Sequence, residues 1–125
     1  MVDTCLNTPG ARRTWERLFA EFMRDRPIRR VICTHLHPDH VGLAGWLSER
    51  FRCELWMSRE EFLMCRAMVA DTGRKPPEVA IHFYRAAGYS EKQLEFYRGR
   101  FGNFGRAVAP LPDSYRRLTD GETLH

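Results

Sequence analysis

A short β-branched run, Val31-Ile32-Cys33-Thr34, lies between two stretches whose apolar residues recur at helical spacing, and this constrains the fold more than any other feature. Branched β-carbons suit a buried strand better than a helix. Upstream, Asn7-Thr8-Pro9 supplies a capping residue with proline just inside a helix, and Trp15, Leu18, Phe19, Phe22 and Met23 follow at helical intervals. That helix ends before Pro27. Downstream, Leu43, Trp46 and Leu47 mark a helix over Gly42 to Arg50, and Cys53 to Met57 reads as the next strand. With Val2 to Cys5 as the tail of a first strand, the order is strand, helix, strand, loop, helix, strand. Such alternation predicts an α/β fold built on a parallel sheet with right-handed crossovers.

Beyond Met57 the pattern becomes helical. Ser58-Arg59-Glu60-Glu61 is a capping-box signature opening a helix to about Ala70, and Gly73 to Pro77 closes it. Glu78 to Ala87 reads as a second helix ended by Gly88. Ser90-Glu91-Lys92-Gln93 repeats the capping pattern and starts a third, frayed by Gly99, Gly102 and Gly105. Tyr115 to Leu118 reads as a strand, with Asp120-Gly121 as a hairpin turn after it. No repeat or linker interrupts the chain, and 125 residues with 43% apolar and 29% charged side chains amount to one soluble globular domain.

No apolar run approaches the roughly 18 residues of a spanning helix, and the N-terminus lacks the basic head and apolar stretch of a secretory signal. The expected compartment is the cytoplasm, with no membrane partner. Cys5, Cys33, Cys53 and Cys65 are widely separated and read as reduced core residues. The net charge of +4, from 20 basic against 16 acidic residues, permits an anionic partner without arguing for one.

The informative stretch is Thr34-His35-Leu36-His37-Pro38-Asp39-His40-Val41-Gly42. Its three histidines and aspartate would arise by chance on the order of a few times in ten thousand chains of this composition. While the backbone is extended, His35 and His37 project to one side, so two imidazoles can meet one ion. Pro38 restricts the following turn, and Asp39 and His40 can then face a second ion. The loop leaves the carboxyl end of a parallel strand, where open α/β sheets place their sites. Mixed nitrogen and oxygen donors suit zinc, with iron or manganese as alternatives. Without an ion, Asp39 would simply cap the next helix.

His35-x-His37-x-Asp39-His40 resembles the signature of the metallo-β-lactamase superfamily, and Val2-Asp3-Thr4 resembles its strand end, with Cys5 where that family carries glycine. The resemblance implies a partial αββα sandwich over residues 1–125: a first-half β-α-β-α-β unit plus a helical insertion or lid over 58–105. It also implies a hydrolase in which His35 and His37 bind a first metal and Asp39 and His40 a second. Water activated between the two zinc ions would attack an ester, thioester or similar bond, with Asp39 orienting it or moving its proton, as in glyoxalase II-like thioesterases. Asp3 would stand beside the site without touching the metals. Further ligands of the family pattern, a glycine-histidine motif, a bridging aspartate and a last histidine, would lie in strands outside this sequence. Neither His82 nor His125 has the matching context.

Two consequences and two rival readings accompany that resemblance. Two donors per ion predict weak metal binding and little turnover by the isolated chain, since a catalytic zinc normally has three protein ligands. Half a sandwich also leaves an unpaired sheet edge, through which copies of the chain would associate. One rival is a non-catalytic metal-binding remnant. The other is a nucleic-acid binder or nuclease, suggested by the cations and aromatics interleaved from Arg98 to Arg106. That stretch matches no recognised RNA-binding motif, so nucleic acid is the less favoured partner and a small ester or thioester the expected one. Phe83, Tyr84, Arg85, Tyr89, Phe96, Tyr97 and Phe101 either line a lid or pack helix on helix.

Overall fold

Thr8 accepts a hydrogen bond from the Ala11 N–H, Pro9 occupies the first turn, and helix α1 (Pro9–Phe22) begins where the capping pattern predicts. It buries Phe19, which stacks with Trp15 and meets Phe51 edge-on at 4.9 Å. The computed structural model describes residues 1–23 and 26–123, so His125 lies outside the described residues. Strands β1 (Arg30–Ile32), β2 (Glu54–Met57) and β3 (Arg116–Arg117) form a parallel sheet in that order. Val2 bridges Ile32 in parallel, Asp3 N–H donates to the Ile32 carbonyl, and Ile32 N–H donates to that of Met1. The N-terminal segment thereby extends the sheet beside β1.

Val31, Leu55 and Met57 point to one sheet face and are fully buried with Leu43, Leu47, Phe62 and Cys65. The opposite face is different in kind. There Trp56 lies between two guanidinium groups, with Arg30 Cζ 4.7 Å and Arg116 Cζ 4.1 Å from its ring centre, and its indole N–H donates to Glu54. The four cysteines are free; burial pushes the Cys33 thiol up to about 12 and that of Cys65 to about 11. Among the described residues no helix is long and apolar enough to cross a membrane.

Three features depart from the sequence reading. The helix expected over Gly42 to Arg50 is α3 (Ala44–Phe51), and the stretch before it, expected as a loop, carries a separate helical turn, α2 (Pro38–Val41). The break between them has a long-range cause: the buried Thr4 hydroxyl donates to the His40 carbonyl and accepts from Leu43 N–H, in place of the helical bond Leu43 would otherwise make. Asp39 and His40 therefore sit on a helical turn rather than in a loop, and no side chain caps that turn. The backbone from Thr34 to Leu36 bends instead of staying extended.

The third departure concerns α4 (Arg59–Ala70). Ser58 accepts from Glu61 N–H as expected, but the Glu61 carboxylate leaves the box and accepts from Leu36 N–H at 2.6 Å. The reciprocal box is complete at Ser90 and Gln93, where α6 (Glu91–Arg100) begins. Phe62 of α4 stacks on Tyr115 at 3.8 Å, fastening the helix to the approach of β3. Helix α5 (Glu78–Ala86) packs on α6 through buried Ile81 and Leu94 and the Tyr84–Tyr97 ring pair. This hairpin joins the rest at a neck where Gly73 N–H donates to the Gly102 carbonyl. A 3₁₀ turn (Phe104–Ala107) follows.

Gly45 illustrates how closely α3 is pressed onto the 110–112 segment. In a free helix, glycine to alanine gains about 1 kcal/mol. Here a Cβ would run into the Pro110 backbone carbonyl, which has no rotamer with which to give way. We expect Gly45→Ala to destabilise the fold by about 1–3 kcal/mol, read as a lowered urea midpoint at unchanged slope. A raised midpoint would show that α3 does not pack as described.

Candidate metal centre

The carboxyl end of β1 delivers Cys33 and Thr34 to the sheet rim, and the chain then bends through His35 to His37 before α2 starts. The three imidazoles gather there. His35 and His37 rings stand 4.7 Å apart and His35 and His40 rings 3.9 Å apart, while His35 Nε2 faces His37 Nδ1 across 3.1 Å. Two nitrogens bound tetrahedrally to one zinc stand about 3.3 Å apart. His40 Nε2 lies 3.5 Å from the Asp39 carboxylate, whose side chain is 67% exposed.

The far sides of the rings are held by protein. His40 Nδ1 donates to Asp3 Oδ2 at 2.9 Å, which leaves Nε2 as the acceptor on the side of Asp39. Thr34 donates its hydroxyl to the Asp3 carboxylate and stands 3.0 Å from His35 Nδ1. With that hydroxyl proton committed to Asp3, His35 donates from Nδ1 and turns an unprotonated Nε2 toward His37. The atoms left without a backbone or Asp3/Thr34 partner are thus paired with one another, His35 Nε2 with His37 Nδ1 and His40 Nε2 with Asp39 Oδ2.

The electrostatics follow from the Asp3–His40 pair. Partial burial alone would raise the Asp3 carboxyl, but hydrogen bonds from His40 and from the Thr34 amide and hydroxyl outweigh it and hold the group below its ordinary value. For His40 the hydrogen bond to Asp3 is the main influence and raises it; desolvation opposes, and the charges of Asp3 and Asp39 add to the rise.

The donor set of three imidazoles and a carboxylate fits a divalent cation in kind and, for His35 and His37, in spacing. Among the described residues, however, no three His, Cys, Asp or Glu side chains converge on one focus. The arrangement is two adjacent pairs, His35 with His37 and Asp39 with His40. His82 is exposed on α5, away from this rim.

A family model described as the metallo-beta-lactamase superfamily matches residues 1–115. The chain belongs to that superfamily. It is similar to a beta-lactamase domain protein from Burkholderia ambifaria, with a TM-score of 0.76 and 31% identity over 99% of this chain. It is also similar to a metallo-beta-lactamase family protein from Thermus thermophilus, with a TM-score of 0.67 and 29% identity over 99% of this chain. The chain spans 34% and 38% of those two proteins. No curated protein matches it.

Membership accords with the small parallel sheet and flanking helices, which correspond to part of the metallo-β-lactamase fold. Cys5 has φ +78 and Asp3 φ +55, left-handed backbone that costs a non-glycine residue about 1–2 kcal/mol. Three residues at the rim escaped the sequence reading in these roles. Thr34 orients His35 and Asp3, Thr4 ties His40 to Leu43, and Glu61 holds Leu36. Only Thr34, a polar residue ending a buried run beside the motif, left a local signal.

In metal-free protein we expect His40 to titrate above the ordinary histidine range by NMR, and Asp3→Asn to bring it down. A raised histidine stabilises the fold below its unfolded pKa, and that contribution is lost as pH rises through the folded one. A depressed carboxyl stabilises above its unfolded pKa and loses that contribution as pH falls through the folded one. The pair therefore supports the fold between the two folded values and fades on either side. An unchanged His40 titration in Asp3→Asn would remove the pairing.

Proposed function

We propose that the chain carries the metal-binding rim of a metal-dependent hydrolase acting on an ester or thioester, in the manner of glyoxalase II-like enzymes. His35 Nε2 and His37 Nδ1 hold one divalent cation, and Asp39 with His40 Nε2 holds a second. Zinc suits these donors, with iron or manganese as alternatives. When bound, such ions supply Lewis acidity and a water acidic enough to react near neutral pH.

The chain's own residues do the remaining work. Asp3 and Thr34 keep His40 and His35 in the tautomers that leave their Nε2 atoms free. Asp39, exposed at the rim, orients the attacking water or takes its proton. The observation that carries this reading is the pair of imidazole nitrogens, His35 Nε2 and His37 Nδ1, facing one another at the end of β1. The thioester preference rests on family analogy.

A second reading, a metal-binding segment without turnover of its own, is favoured by the absence of three convergent donors among the described residues. A catalytic zinc normally has three protein ligands. Zinc titration with assays on thioester, lactone and phosphodiester substrates separates the two. Two ions per chain with turnover support the enzyme, whereas one weakly held ion without turnover supports the binding segment. We expect His37→Ala to abolish uptake of the zinc held with His35, lowering the stoichiometry, while leaving the far-ultraviolet circular dichroism unchanged. Wild-type zinc stoichiometry in that variant would refute the assignment of His37.

A further inference from the structure

We propose that Glu61 is a positioning residue for the candidate metal centre. Its carboxylate, on the first turn of α4, fixes the peptide between His35 and Leu36 and with it the mutual approach of the His35 and His37 rings. The inference rests on reading those two histidines as a metal-binding pair, and it adds a residue 25 positions away to the machinery of that pair.

The bond itself is the first ground. Leu36 N–H donates to Glu61 Oε2 at 2.6 Å in a partly buried setting, a close contact of an amide with an ionisable carboxylate. The second is what Glu61 forgoes. At the third position of α4 its carboxylate would ordinarily return to the Ser58 N–H and complete the capping box, as Gln93 does for Ser90. It reaches across to the rim instead.

The third ground is the place of Leu36. Its side chain packs against the core while its neighbours carry the two facing imidazoles. The peptide planes around it are pinned from separate elements. Thr34 N–H donates to Asp3 at 2.9 Å, and the His37 carbonyl accepts from His40 and Val41 at the start of α2. Glu61 supplies the pin between them. Without it the His35–Leu36 peptide can rotate, and the separation of His35 Nε2 and His37 Nδ1 is no longer set. Partners of this kind that orient a metal's ligands typically change affinity by about 10- to 100-fold when removed.

The test uses the full 125-residue chain, isotopically labelled, first without metal. In Glu61→Ala, the Leu36 amide is expected to exchange at least about tenfold faster and the His35 and His37 ring nitrogens to shift, with cooperative melting retained. Glu61→Gln keeps a carbonyl acceptor on the same stem and should retain the wild-type pattern. Glu61→Asp keeps the charge and the helix-start preference but shortens the stem by a methylene, and should behave like Glu61→Ala; it replaces that variant should Glu61→Ala fail to fold. Exposed Glu60, in the same turn, supplies the control Glu60→Ala, which should match wild type.

Zinc is then titrated against a chromophoric chelator, and Glu61→Ala should bind at least about tenfold more weakly, with Glu61→Gln within about threefold of wild type. Unchanged Leu36 exchange and ring signals in both Glu61→Ala and Glu61→Asp would overturn the proposal. So would a Glu61→Gln variant as impaired as Glu61→Ala. If wild-type protein takes up no zinc, the metal reading fails by itself, and the metal-free measurements still decide whether Glu61 sets the two rings.

Discussion

The carboxylate of Asp3 accepts hydrogen bonds from Thr34 and His40, and the organisation of the sheet rim depends on that meeting. It requires the first residues of the chain to pair beside β1, so that a segment more than thirty residues upstream lies under the histidine loop. The pairing stabilises through ordinary backbone hydrogen bonds, but its chemical result is specific: His40 presents Nε2 outward, and Thr34 is free to hold His35. The strained backbone at Asp3 and Cys5 is the cost of turning the chain sharply at that point.

A parallel sheet makes such a site natural. Strand ends at the carboxyl edge leave backbone and polar side chains facing solvent while the helices cover the faces, so charged and imidazole groups collect there without being buried. Here α2, α4 and the N-terminal segment each reach the same loop from a different direction. The apolar face of the sheet, with Val31, Leu55 and Met57 fully buried, gives those contacts a rigid floor. The α5–α6 hairpin stands apart, with its own small core around Ile81 and Leu94, and exposes Phe83 and Phe96.

Element types were readable because they follow from short-range rules. Thr8-Pro9, Ser58 and Ser90 start helices where their side chains can cap, and the β-branched run Val31-Ile32 marks a strand. The HxHxDH spacing was equally visible, because its residues are neighbours in the chain. The separate helical turn α2 was not, since the hydrogen bonds that set it off from α3 come from Thr4, far upstream in the chain.

The sequence by itself determined the α/β class, the superfamily signature at His35, His37, Asp39 and His40, and the succession of helices after β2. Each is a matter of local spacing and propensity. The tertiary structure alone decided which nitrogen each imidazole presents, that Asp3 holds His40, and that Glu61 leaves its own helix cap for Leu36. The Glu61–Leu36 and Asp3–His40 bonds join residues 25 and 37 positions apart, and no periodicity in the chain encodes a partner at that distance.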